Sequence, residues 1–205
     1  MKKHLLIAIV TILTLAACKT QNQPATTQTP EMTREEKMRE KMKSVEQTPM
    51  ALAAAPLTVD GELSGVQSKP NFYLDPYNEW FKEGYDNFTP DPSLLPRFRD
   101  AMKNVQVRAY MGTWCEDSQR EIPQFYKLMD AIGINERNYT MIAVDQSKTE
   151  PAALVEGCDV ERVPTIIFYR NGEEIGRYVE YARESMERDF LKILTTGGYK
   201  HSYQD

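Results

Sequence analysis

The sequence predicts a mixed α/β sandwich in the second half of a chain of 205 residues. Short apolar runs that are rich in Val, Ile, Tyr and Phe and bounded by turn residues are typical of buried strands. The segments between them carry apolar residues at helical spacing, which indicates amphipathic helices. The hydrophobic fraction of 41% is normal for a globular core, and the length favours one domain with extra segments.

Strands and helices alternate along this domain. Asn171-Gly172 lies between the last two apolar runs and is a strong signal for a β-hairpin turn. In chain order we predict a strand at Val105 to Met111, a helix from about Cys115 to Ile132, a strand at Tyr139 to Val144, a short helix near Pro151 to Glu156, a strand at Thr165 to Tyr169, a strand at Glu174 to Glu180 and a last helix at Glu184 to Thr195. This order predicts a central mixed sheet between helical layers.

Two aromatic-rich segments precede the first of these strands. Asn71 to Phe88 carries aromatic residues at helical spacing, and Asp91 to Lys103 opens with Asp91-Pro92-Ser93, which is typical of a helix start. We therefore predict helices, or a helix with a loop, in these two segments, which together form an N-terminal helical extension of the sandwich.

The first 17 residues have the pattern of an export signal. Lys2 and Lys3 precede an apolar run that is too short for a membrane span, which needs about 20 residues. Leu15-Ala16-Ala17-Cys18 then resembles the lipobox of bacterial lipoproteins, in which the signal is cut before the cysteine and the thiol receives a lipid. We expect Cys18 to anchor the chain to a lipid membrane in the cell envelope. Because Lys19 rather than an aspartate follows, we expect the outer membrane.

Residues 18–56 are predicted to form a tether, and residues 57–205 the domain. The polar stretch up to Pro30 cannot bury an apolar face. Glu31 to Gln47 is highly charged, which favours a solvated helix or a charged linker.

Composition argues against several classes of function. The formal net charge is −5 and the sequence contains no compact basic stripe, so nucleic acid is not an expected partner. The two histidines, His4 and His201, fall in the signal and the tail, which disfavours Cys-His proteases, Ser-His-Asp hydrolases and histidine zinc sites. We expect no metal and no cofactor.

Cys115 is the candidate nucleophile. It follows a predicted strand and opens a predicted helix, where backbone N–H groups and the helix dipole stabilise a thiolate. Trp114 offers a flat apolar surface beside the sulfur, and Gly112 lets the chain turn off the strand end. A thiolate in this setting can attack a disulfide.

Two motifs and a turn follow one another in the second half of the chain: Gly112-Thr113-Trp114-Cys115-Glu116-Asp117-Ser118, Val163-Pro164-Thr165 and the turn at Asn171-Gly172. They are similar to the active-site loop, the cis-proline loop and the hairpin turn of the thioredoxin superfamily, which the chain resembles over roughly residues 100 to 196. The resemblance implies a thioredoxin-like three-layer sandwich. It also implies that Pro164 is cis and faces the sulfur, and that Trp114, Val163 and Pro164 bind the substrate.

The active-site loop departs from the family at the second cysteine. Ser118 stands where the family has the thiol that attacks the mixed disulfide and releases the reduced substrate. A hydroxyl cannot resolve a disulfide but can hydrogen-bond the thiolate of Cys115, so we predict a catalytic role for Ser118. The family's buried acid and its lysine partner fall on Ala109 and Met141. Cys158 is expected to be a partly buried structural cysteine, with a bond to Cys115 as the alternative.

These observations leave two functions open. In the first, Cys115 forms a mixed disulfide with a protein or a small-thiol substrate, and another thiol completes the exchange. In the second, the groove at Trp114 and Pro164 holds a peptide or a partner protein without turnover. Retention of Cys115 with Trp114 favours the first function, and Ser118 favours the second.

Overall fold

The structure, a computed structural model, describes Thr33, Glu36, Lys37 and residues 58–205. The predicted signal, the predicted lipidation site Cys18 and most of the predicted tether lie outside the described residues. Thr33 and Glu36 form a reciprocal cap, because the backbone N–H of each donates to the other's side chain, at 2.9 and 3.2 Å. This pairing is typical of a helix start, and Glu36 and Lys37 are helical.

A five-stranded mixed sheet forms the centre of the domain. Its strands are β3 (Gly65–Gln67), β4 (Val105–Met111), β5 (Tyr139–Ala143), β6 (Thr165–Arg170) and β7 (Glu173–Val179), in the spatial order β3-β5-β4-β6-β7. The pair β4 and β5 is parallel, and the other pairs are antiparallel. The predicted mixed sheet is therefore confirmed.

Two further strands, β1 (Thr58–Val59) and β2 (Glu62–Leu63), form a small separate hairpin. The helices of the domain are α1 (Asn78–Asn87), α2 (Leu95–Ala101), α3 (Glu116–Ile132), α4 (Ala152–Val155) and α5 (Met186–Thr195), with 3-10 helices at Lys69–Tyr73 and Glu136–Asn138. Within the described residues, no helix has the length and apolar character that a membrane crossing requires.

Helices cover both faces of the sheet. On one face, alternate residues of β4 such as Val107 and Ala109 join a large apolar cluster with Phe125 of α3 and Phe190 of α5. On the other face, Tyr110 of β4 joins a smaller cluster with Val155 of α4. Successive side chains of a strand point to opposite faces, so β4 contributes to both clusters. This arrangement confirms the predicted three layers.

The long helix α3 begins directly after Cys115. Its apolar residues recur at intervals of three and four and face the large cluster. It ends at Gly133, whose φ of 69° places it in the left-handed region that terminates many helices.

The upstream segments form helices joined by turns, but their bounds differ from the predicted ones. The segment predicted as Asn71 to Phe88 divides at Pro76 into the 3-10 helix and α1. The segment predicted to begin at Asp91 becomes helical only at Leu95, because Asp91 Oδ1 accepts the Ser93 N–H at 2.9 Å and holds a turn there. The strands β1, β2 and β3 were not predicted from the sequence.

Candidate functional site

Cys115 is the N-cap residue of α3. Its backbone N–H donates to the Gly112 carbonyl at 3.0 Å, and its carbonyl accepts from Gln119 N–H at 3.0 Å. The tight turn from β4 therefore delivers Cys115 to the start of a helix of 17 residues. The N–H groups of the first turn and the helix dipole there favour a negative charge on the sulfur.

The cis-proline loop faces the sulfur, as the resemblance implied. The Val163–Pro164 peptide bond is cis, and Cys115 Sγ donates to the Val163 carbonyl oxygen at 3.3 Å. Val163 and Pro164 are buried, whereas Cys115 is only half-buried. Cys115 therefore keeps part of its surface exposed while its sulfur contacts the loop.

Trp114 is fixed beside Cys115. Its indole Nε1 donates to the Val144 carbonyl at 3.0 Å, and Lys148 Nζ lies 5.7 Å from the ring centroid.

Lys148 belongs to a loop that Asp145 organises by accepting the backbone N–H groups of Thr149 and Glu150, each at 2.9 Å. Burial acts to raise the pKa of Asp145, but these and other hydrogen bonds outweigh it and lower the pKa.

Gly112 leaves room for the indole ring. A Cβ atom at this position would lie 2.3 Å from Cε2 of Trp114. We expect Gly112→Ala to displace the indole, break its bond to Val144 and slow exchange at Cys115 by about tenfold or more, because small misplacements at a reacting centre are costly. Fluorescence of Trp114, measured in a Trp80→Phe background, detects displacement of the indole. If Gly112→Ala changed neither this spectrum nor the reaction rate of Cys115, the prediction would be wrong.

Ser118 is fully buried one turn along α3. Its Oγ accepts the backbone N–H of Gly112 at 3.2 Å. The structure therefore places the hydroxyl beneath the loop, where it fixes Gly112 rather than making the hydrogen bond to Cys115 that the sequence suggested. The neighbouring Gln119 Nε2 donates to the Thr113 carbonyl at 2.6 Å, which holds the same turn from the helix side. A direct role for Ser118 at the thiolate stays a prediction.

The small hairpin supplies a contact that sequence reasoning missed. Thr113 Oγ1 donates to the Glu62 carboxylate and accepts the Leu63 N–H, the latter at 3.2 Å. Thr113 is 4% exposed, so its hydroxyl needs these partners. No sequence signal links the hairpin to the loop, since they lie about 50 residues apart.

Glu116 and Asp117 put two negative charges in the first turn of α3, and the positive charge of Arg120 partly neutralises them. Asp117 pairs with Arg120 at 2.5 Å, and Arg120 Nε also lies 2.8 Å from Glu121 Oε1. Glu121 is buried and accepts the Tyr178 hydroxyl at 2.6 Å. Burial, together with this carboxylate, holds the pKa of Tyr178 well above its usual range, so Tyr178 stays a neutral donor.

The two positions at which the family has a buried acid and a lysine are occupied here by neighbouring buried residues. Ala109 and Met141 are register partners on β4 and β5, with 0% and 1% exposure. The core beneath the loop is therefore apolar at these two positions.

Cys158 is a buried structural cysteine, more deeply enclosed than predicted. It is 0% exposed and accepts the Tyr110 hydroxyl at 3.0 Å. Neither Cys115 nor Cys158 forms a disulfide within the described part of the chain. The alternative of a Cys115–Cys158 bond is not observed.

The sequence of the domain that contains Cys115 is similar to known proteins. The profile of the Thioredoxin family matches residues 97–192. Thioredoxin of Gallus gallus is 26% identical over 94 residues, which cover 46% of this chain and 84% of that protein. Thioredoxin domain-containing protein 2 of Rattus norvegicus is 24% identical over 95 residues, 46% of this chain. A thioredoxin-like protein of Acanthamoeba polyphaga mimivirus is 20% identical over 93 residues, 45% of this chain. The match spans 16% of the rat protein and 65% of the viral one.

Proposed function

Because residues 97–192 form a domain of the thioredoxin superfamily, we propose that the chain carries out thiol–disulfide exchange through Cys115 alone. The observation that carries the proposal is the position of the sulfur, at the N-cap of α3 and 3.3 Å from the Val163 carbonyl. At the N-cap, the sulfur lies beside the backbone N–H groups that begin α3. Its contact with the Val163 carbonyl places it against a cis-proline loop whose backbone can receive an extended substrate.

The exchange proceeds in two displacements. The Cys115 thiol loses its proton to solvent, and the thiolate attacks one sulfur of the substrate disulfide. A mixed disulfide forms at Cys115 while the other substrate sulfur leaves as a thiolate and takes up a proton. An external thiolate then attacks the substrate sulfur of the mixed disulfide, forms a new disulfide with that sulfur and displaces the Cys115 thiolate, which takes up a proton. No net oxidation of the protein occurs.

The residues around Cys115 support the monothiol mechanism. Ser118 offers no second sulfur, and its hydroxyl is engaged with the Gly112 amide. Ala109 and Met141 leave no buried acid or amine at the positions where the family assists a second thiol. Cys158 is enclosed in the smaller apolar cluster, so it is not available to attack a mixed disulfide.

The proposal includes a lipid anchor at Cys18 in the outer membrane of a bacterial cell envelope. Its support is the sequence Leu15-Ala16-Ala17-Cys18 and the polar segment that follows. Residues 18–56 would then serve as the tether between the lipid and the domain. Incorporation of a labelled fatty acid by the wild type and its loss in Cys18→Ala test the anchor.

A peptide joined to glutathione through a disulfide, with excess glutathione as the external thiol, tests the exchange. Wild type and Cys158→Ser are expected to accelerate formation of glutathione disulfide equally, and Cys115→Ser is expected to show only the background rate. Mass spectrometry of the trapped intermediate should place glutathione on Cys115. Identical rates for wild type and Cys115→Ser would reject catalysis and favour the second function, peptide or partner binding without turnover.

A further inference from the structure

The C-terminal residues fold back beside the cis-proline loop. Ser202 Oγ donates to the Tyr181 carbonyl at 2.7 Å, and the Tyr203 hydroxyl donates to the Glu180 carboxylate. Closer to α5, the Tyr199 hydroxyl donates to buried Asp189 at 3.0 Å. These bonds fix the segment against the end of β7.

This fold-back assembles an exposed surface of Arg162, Tyr181 and Tyr203, called here the tyrosine patch. The two tyrosine rings meet edge to face with centroids 5.9 Å apart, and the Arg162 guanidinium lies 4.0 Å from the Tyr203 centroid. Tyr181 and Tyr203 remain 44% and 42% exposed. Rigid aromatic side chains with an arginine are the residue types that dominate binding energy at protein interfaces.

The tyrosine patch adjoins the cis-proline loop that contacts Cys115. Glu180 N–H donates to the Pro164 carbonyl at 2.8 Å, which joins the patch to the cis-proline residue. Arg162 directly precedes Val163, whose carbonyl receives the Cys115 thiol. A chain that lies along Val163 and Pro164 therefore has the patch directly beside it, because Arg162 and Glu180 are the immediate neighbours of these two residues.

We infer that the tyrosine patch binds the polypeptide flanking the reactive cysteine of a protein disulfide, with an apolar side chain of that polypeptide seated on Tyr181 and Tyr203. The inference rests on the proposed function and narrows its substrate class. A low-molecular-weight disulfide such as one of cysteine is too small to contact the patch, so the patch does not contribute to its binding. A protein segment gains the aromatic contact and hydrogen bonds from Arg162. The patch thus selects protein disulfides over low-molecular-weight disulfides.

Two thionitrobenzoate mixed disulfides test the inference with the full chain. One carries a short peptide with leucines on both sides of its cysteine, and the other carries cysteine alone. Attack by Cys115 on the cysteine sulfur releases coloured thionitrobenzoate in both. In Tyr203→Ala we expect the rate with the peptide to fall by about fivefold or more, as for truncation of an interface anchor. The rate with cysteine alone should change less than about twofold.

Matched variants distinguish the contribution of the Tyr203 ring from that of its hydroxyl. Tyr203→Phe keeps the ring and loses the bond to Glu180, so it should retain the wild-type preference for the peptide. Tyr181→Ala should repeat the loss, and Tyr73→Ala, which removes a tyrosine of 39% exposure packed on Phe81, should not. An equal fall with both substrates, no fall, or a faster reaction of Tyr203→Ala with the peptide would overturn the inference. Failure of wild type to release thionitrobenzoate from either substrate would instead reject the proposed function.

Discussion

Ser118→Cys is expected to turn the monothiol site into a dithiol site. The side chain at position 118 lies one helical turn after Cys115 and is fully buried beneath the loop. A sulfur there can attack a mixed disulfide on Cys115 without an external thiol, and such intramolecular attack is strongly favoured over a bimolecular one. We expect reduction of a protein disulfide such as insulin, with dithiothreitol as the final reductant, to accelerate at least about tenfold.

The same variant has a measurable structural cost. A thiol is a weaker hydrogen-bond acceptor than a hydroxyl, so the Gly112 amide loses part of its bond and the free energy of unfolding should fall by about 1 kcal/mol. Oxidised Ser118→Cys should be lighter than its reduced form by two hydrogens, with the bond mapped to positions 115 and 118. Ser118→Ala is the control, since it removes the acceptor without adding a thiol. Equal acceleration in Ser118→Ala would contradict the resolving role of the new cysteine.

Phe190→Ala is expected to produce the largest loss of stability. Phe190 of α5 is 0% exposed and contacts four aromatic rings, with centroid distances of 4.9 Å to Phe168, 5.4 Å to Tyr178, 6.1 Å to Phe98 and 6.4 Å to Phe125. Truncation removes the apolar contacts and leaves a cavity between the sheet and three helices. The free energy of unfolding should fall by about 3–5 kcal/mol.

Denaturant titration monitored by circular dichroism measures this loss. Leu74→Ala is the control, because Leu74 is 46% exposed and its truncation should change stability by less than about 0.5 kcal/mol. If Phe190→Ala unfolded at the same denaturant concentration as wild type with an unchanged slope, the aromatic cluster would not have the role assigned to it.

The strands of the thioredoxin-like half were predictable from the sequence because each carries its own signal. β4 begins and ends at the predicted residues, Val105 and Met111, and the hairpin of β6 and β7 turns at Asn171-Gly172 as predicted. β4 and β6 are largely buried and apolar, and the Asn171-Gly172 turn marks where β7 begins, so local pattern and tertiary environment agree. The position of Cys115 between β4 and α3 followed from the same agreement.

The edge strand β3 and the small hairpin were not predictable in this way. β3 has three residues, and its central Val66 is 51% exposed. A segment so short shows no period, and its strand geometry arises from pairing with β5, which only the folded chain provides. The contact of Glu62 with Thr113 was missed for the same reason, since it depends on where the hairpin packs.

Ser118 illustrates what sequence reasoning can and cannot establish at the site. The absence of a second thiol was evident from the sequence, and so was the chemistry it removes. The partner of the hydroxyl was not, because a buried serine in the first turn of a helix can reach either the preceding loop or the N-cap side chain. Packing of α3 against β4 decides in favour of the Gly112 amide.

Because Cys158 is buried, the reactivity of its thiol reports local opening of the structure around it. With 0% exposure and the Tyr110 hydroxyl on its sulfur, Cys158 can be alkylated only when the short helix α4 and the loop after it separate from the sheet. The alkylation rate of Cys158 in Cys115→Ser, at low denaturant, therefore measures the free energy of that local opening. In the described part of the chain, a half-buried thiol at Cys115 is thus accompanied by a buried thiol at Cys158, whose alkylation would follow local opening.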